Sequence, residues 1–130
     1  MLDVKALLAK ILRAVTDSGW IEATLSSSFT VYNSGVPVQY RKIGNVVYIQ
    51  GVIKPRSAIA GSDSGVTIFT LPEGYRPNQS LQWLCQGSSA NKWLLAVHAT
   101  GNVTFARYGT TSYTQATTSV WLPFTASFAV

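Results

Sequence analysis

The stretch Val38-Gln39-Tyr40-Arg41-Lys42-Ile43-Gly44-Asn45-Val46-Val47-Tyr48-Ile49-Gln50-Gly51-Val52-Ile53-Lys54 decides the fold. It is two runs rich in β-branched and aromatic residues, Val38–Ile43 and Val46–Lys54, joined by a Gly-Asn pair. Such a pair tolerates the positive φ of a tight turn, so the stretch reads as a β-hairpin. Similar runs recur at short spacing on both sides: Trp20–Leu25, Phe29–Tyr32, Val66–Thr70, Leu81–Gln86, Lys92–Ala99, Asn102–Tyr108 and Val120–Phe128. About nine strands in this rhythm predict a mainly β chain, an antiparallel β-sandwich or jelly roll.

The N-terminus has a different period. Met1, Val4, Leu8, Ile11 and Val15 step by three or four residues, the spacing of a helical seam over Leu2–Val15. A helix of this length is marginal alone, so its stripe must pack on sister stripes or fold back on the β core, where Leu7 and Leu12 would widen the apolar face. One register sets Leu8 at a and Ile11 at d, which leans toward three or four strands; the other, through Val4, Leu7, Ile11 and Ala14, leans toward a dimer. Self-association through Val4, Leu8, Ile11 and Val15 is the expectation. Asp17-Ser18-Gly19 then ends the helix, with Gly19 suited to a left-handed stop. The division expected is a helical neck over residues 1–18 and a β head over residues 19–130.

Composition narrows the function. At 130 residues the chain has room for one proper core. Only 12% of residues are charged, and Ser, Thr, Asn and Gln dominate the polar set, which suits a neutral, hydroxyl-rich partner. The net charge of +5 comes from scattered Lys and Arg with no run longer than Arg41–Lys42, so nucleic-acid binding is not expected. The N-terminal stripe is broken by Asp3, Lys5, Lys10 and Arg13, so neither a signal peptide nor a membrane span is expected there. Cys85 is the single cysteine, so no disulfide forms within the chain.

Catalytic chemistry finds little material. His98, the single histidine, has no acid within twenty positions to orient it, and reads as a buried or interface residue. Glu22, Asp63 and Glu73 lie outside the neck with nothing to mark a glycosidase pair. One His and one Cys cannot make a zinc site, and Asp63 in Gly61-Ser62-Asp63-Ser64-Gly65 reads as a solvated turn rather than a calcium loop. The expectation is a protein without enzyme activity, cofactor or metal.

Recognition by surface remains. Two stretches break the strand rhythm, Lys54–Gly65 and Tyr108–Ser119, and loops on a rigid β frame carry binding groups. An aromatic ring near a loop end can stack on a sugar while polar side chains bond its hydroxyls. By loop proximity the candidates are Trp93, Arg107, Tyr108, Tyr113 and Gln115. The hairpin Ala90–Tyr108 alternates Trp93, Leu95 and Val97 with Leu94, Ala96 and His98 and returns through Val103, Phe105 and Arg107, so both of its faces are expected to be covered.

Gln39–Gly51 together with Thr70-Leu71-Pro72-Glu73-Gly74-Tyr75-Arg76-Pro77 resembles the head domain of tail proteins from phages and prophages of Gram-positive bacteria. The later turn Gly101-Asn102-Val103-Thr104 fits the same pattern, and Val4–Leu12 with Ser18–Ile21 resembles the short helical neck before such heads. The likeness covers the chain from about Trp20 onward. It implies a homotrimeric tail-tip protein, made in the bacterial cytoplasm without a signal peptide and built into the virion. It implies binding to host cell-wall saccharide beside other tail or baseplate proteins. A structural baseplate or decoration subunit is the alternative, and a wall hydrolase a more distant one. No position-by-position site motif comes with the resemblance.

Overall fold

The computed structural model describes residues 3–130, except that the side chains of residues 13–15 are not described. Met1 and the side chain of Val15, both in the expected seam, lie outside the described residues. One helix, α1 (Val4–Val15), precedes nine strands: β1 (Ile21–Glu22), β2 (Phe29–Val31), β3 (Gln39–Ile43), β4 (Val46–Pro55), β5 (Val66–Thr70), β6 (Leu81–Gln86), β7 (Lys92–Val97), β8 (Asn102–Gly109) and β9 (Leu122–Ala129). All strand pairs are antiparallel.

Two sheets form a sandwich. In the first, β4 is the spine: β9 pairs along one edge, and β3 and then β2 share the other, with β1 outside β3. The second runs β5-β8-β7-β6, a Greek-key order. Alternation along β4 and β9 sends Val47, Ile49, Ile53, Leu122, Phe124 and Phe128 inward, against Trp93, Leu95, Val97, Val103 and Phe105 of the facing sheet. Aromatic rings bridge the layers, with Trp93 6.0 Å from Phe124 and Phe29 5.7 Å from Phe105 between centroids.

The hairpin expected over residues 38–54 is present: Ile43 pairs with Val46, and Gly44 takes φ +60° at the turn. Where Trp20–Leu25 was expected as one strand, only Ile21–Glu22 is paired as one. The chain leaves the first sheet after Ala23 N–H donates to the Val38 carbonyl, and Ser26 N–H then donates to the Ile68 carbonyl of β5. Crossing between sheets breaks the strand. It also gives the outer edge of β5 a partner.

Asp3 caps α1, its carboxylate accepting from the N–H groups of Lys5 and Ala6 at 3.1 and 3.2 Å. Every described residue of the helix is exposed, among them Val4, Leu7, Leu8, Ile11 and Leu12 at 41–67%. The helix therefore does not fold back to bury its stripe on the head. The linker is fastened instead, since Ser18 N–H donates to Lys42 O at 2.9 Å and Gly44 N–H to Thr16 O at 2.8 Å. Gly19, at φ +68°, turns the chain only after this added bridge.

Asp17 completes the fastening. Arg41 donates to both of its carboxylate oxygens, Nε at 2.8 Å to one of them, and lies 5.7 Å from the Trp20 ring centroid. The Arg41 hydrogen bond, helped by the Gly19 N–H, holds the Asp17 carboxyl at about 2 instead of its ordinary 3.8. A depressed folded-state value means that the pair stabilises above pH ~4 and loses that contribution as pH falls toward 2. An acid titration followed by tryptophan fluorescence should show this limb in the native chain and lack it in Asp17→Asn.

Candidate functional site

The linker after α1 joins the sandwich beside the β3–β4 turn, and a second set of loops lies at the opposite end. Three segments meet there: residues 56–65, 87–91 and 109–121. The first and third are tied to each other through the backbone, and the second is tied to the third by Trp121 N–H on Ser88 Oγ. Ile59 and Ala116 exchange hydrogen bonds at 2.9 and 2.8 Å, Tyr108 N–H donates to Gly61 O at 3.0 Å, and Thr114 N–H to Tyr108 O at 3.1 Å. Gly61 sits so close to the carbonyls of Thr114 and Tyr108 that no side chain fits there. The two stretches that broke the strand rhythm thus form one crown.

A β-bulge decides what the crown presents. Register between β7 and β8 shifts between Lys92 and Leu94, and Arg107 adopts φ +55°. Continuous alternation would set Arg107 inward with Val103 and Phe105; the extra residue turns it outward and sends Tyr108 into the core. A left-handed arginine costs about 1–3 kcal/mol, and such strain collects where a side chain has to be aimed. Arg107 N–H donates to Asp63 O at 3.2 Å, which holds residues 61–65 against the bulge.

The candidates divide accordingly. Arg107, Tyr113 and Gln115 are exposed on adjoining segments, Tyr113 at 56%, with the Gly109–Tyr113 bridge setting the latter two beside β8. Trp93 and Tyr108 are corrected: at 0% and 1% exposure they are core residues and cannot stack on a ligand. Trp93 faces inward by the alternation of β7 and spends its indole N–H on Gln86 O at 3.1 Å. Burial raises the Tyr108 hydroxyl above its ordinary value, against bonds to Asn91 and Ser88.

Two crown residues escaped the sequence reading. Trp121 is 40% exposed and its N–H donates to Ser88 Oγ at 2.7 Å. Its signal was parity, since Leu122, Phe124, Ala126 and Phe128 alternate inward and Trp121 falls in the opposite set. Asp63 was read only as a turn. Its Oδ1 accepts from Gly65 N–H at 3.2 Å, and the residue is exposed next to Arg107. Acid, guanidinium, amide and aromatic groups therefore share one rim, a set able to bond hydroxyls and stack on a ring.

His98 is half-buried near the other end of β7, with Ser80 Oγ 3.1 Å from Nδ1 and Thr104 Oγ1 3.1 Å from Nε2. Two hydroxyls occupy the positions where a triad needs a carboxylate and a nucleophile. Among the described residues no group of three His, Cys, Asp or Glu side chains could hold a metal ion, and no helix is long and apolar enough to cross a membrane.

No protein-family model matches the sequence, and no curated protein matches it either. Solved structures do. The receptor-binding head domain of lactococcal phage bIL170 superposes with a TM-score of 0.59 at 19% identity, covering 85% of this chain and 96% of that one. The receptor-binding protein of Listeria phage PSA gives 0.57 at 17% identity, over 91% of this chain and 73% of its own. The fold is that of a phage receptor-binding head. At these identities the likeness concerns the backbone, and the side chains of the crown are this chain's own.

Proposed function

We propose that this chain is the receptor-binding head of a phage or prophage tail, carried at the tail tip of the virion. The observation that carries the reading is the shared fold with two phage receptor-binding proteins, found without sequence similarity strong enough to reflect anything but architecture. Residues 1–18 act as the neck and residues 19–130 as the head. The exposed stripe Val4, Leu8 and Ile11 on a helix too short to stand alone supports assembly through the neck, with three chains as the expected number.

The ligand is a saccharide of the host cell wall, held non-covalently at the crown. Tyr113 and Trp121 offer apolar ring faces, and Arg107, Gln115 and Asp63 offer donors and acceptors for hydroxyls. Each head binds weakly. Three heads on one neck raise the apparent affinity through effective concentration.

The test is binding of labelled, purified chain to cell-wall polysaccharide from Gram-positive bacteria. Saturable binding to at least one wall type is the expected result, and Arg107→Ala or Tyr113→Ala should weaken it about tenfold, the scale of one charged hydrogen bond or one stacked ring. Wild-type oligomer that binds no wall polysaccharide, yet is incorporated into particles, would establish a structural subunit in place of a receptor binder.

A further inference from the structure

A concavity of the described residues lies at the neck end, away from the crown. It is a cleft of about 810 Å³ where helix, linker, hairpin turn and the Pro72–Pro77 corner converge. Lys10 enters it from α1, Lys42 from β3 and Arg76 from the corner, and no acidic side chain lines it. The one ion pair among the described residues is Arg41–Asp17, so none of these three cations lies within 4.0 Å of a carboxylate, and the last residue, Val130, supplies the one other charge on the wall through its terminal carboxylate.

The fold holds two of the charged heads in place. Lys42 Nζ donates to Gly74 O at 2.7 Å and lies 5.5 Å from the Tyr75 ring centroid. Arg76 Nε donates to Leu71 O at 2.9 Å. Each bond uses one donor of a group that carries three or five. Ser18, Asn45 and Tyr75 add neutral polar groups to the wall. Like charges gathered in a concavity repel one another, and a bound anion reverses the sign of that interaction.

We propose that this junction cleft binds a phosphate or sulfate group. A tetrahedral oxyanion, with charge near −2 as a phosphate monoester, can accept from cations arriving on three separate segments, whereas a planar carboxylate suits a single fork. The volume is within the range of small-molecule sites, which leaves room for whatever carries the group. The inference rests on the junction alone and is independent of the receptor-binding reading.

The experiment is a titration of the full-length ¹⁵N-labelled chain with inorganic phosphate at constant ionic strength, with chloride as the reference anion. Expected are saturable shifts in the amides of Ser18, Gly44, Asn45 and Tyr75. Lys10→Gln, on the exposed helix, and Lys42→Gln should each weaken binding about tenfold, the effect of losing one charged donor. Lys92→Gln, at the far end of β7, should leave it unchanged. Glucose 1-phosphate binding more tightly than phosphate identifies a carried group, and equal binding identifies the free ion. The proposal is overturned if chloride moves the same amides equally, or if Lys92→Gln weakens binding as much as Lys10→Gln.

Discussion

Trp93→Ala should cost about 3–5 kcal/mol of folding stability, the range for truncating a large buried aromatic. Trp93 is wholly buried between layers, its ring centroid 5.4 Å from Phe105 and 6.0 Å from Phe124. Truncation would leave a void bordered by both rings and would free the Gln86 carbonyl that accepts the indole N–H. Set against the 5–15 kcal/mol that typically separates folded from unfolded states, this is a large share. Urea denaturation should show a strongly lowered midpoint with an unchanged slope. Trp93→Phe should recover part of the loss, since it refills most of the volume without restoring the hydrogen bond. A binding role would give the opposite pattern, with stability kept and wall binding lost; the core position predicts stability lost first.

The same residue shows what was legible in the sequence. Alternation of Trp93, Leu95 and Val97 with Leu94, Ala96 and His98 correctly marks one strand with two faces, but loop proximity was the wrong guide to which face meets a ligand. The inward set belongs to the sandwich. Among the described residues no third layer covers the outward set, and Leu84, opposite Leu94 on β6, is 73% exposed. The hairpin around Gly44 and the corner at Gly74 were readable because local backbone chemistry fixes both turns, the latter closing with Tyr75 N–H on Pro72 O at 3.2 Å.

The bulge at Arg107 left no such local mark. A sequence of period two gives no sign that one residue will be looped out, because the shift is set by how β8 must fit β7 on one side and residues 61–63 on the other. For that reason Arg107 and Tyr108 looked equivalent as candidates, while the fold sends one to solvent and the other to the core. Trp121 was readable in principle from parity along β9. The meeting of residues 59–63 with 113–116 was not, since it joins segments about fifty positions apart through backbone hydrogen bonds that any residue could make.

The double variant Leu8→Asp, Ile11→Asp should convert the assembly to single chains. Light scattering of the native protein is expected near 42 kDa, three times the 14.1 kDa chain, and that of the variant near 14.1 kDa. Leu8 and Ile11 are 54% and 51% exposed in the single chain, so the variant removes little intrachain packing. Burying either residue against sister helices is worth about 1.5–3 kcal/mol, and an aspartate in the same seam adds the cost of desolvating an unpaired charge. Both heptad registers place Ile11 in the seam, and Leu8 belongs to the one that leans toward three or four chains, so the variant strikes the seam in either arrangement. The head should keep its β signature because α1 makes no substantial packing contact with any strand. Helical signal should fall, since twelve residues without neighbours are too few to hold a helix. A native mass near 14.1 kDa would remove the neck from the assembly altogether. An unchanged trimer mass in the variant would instead move the assembly to the heads, where the outward face of β6 and β7 around Leu84 and Leu94 offers an apolar surface to make it.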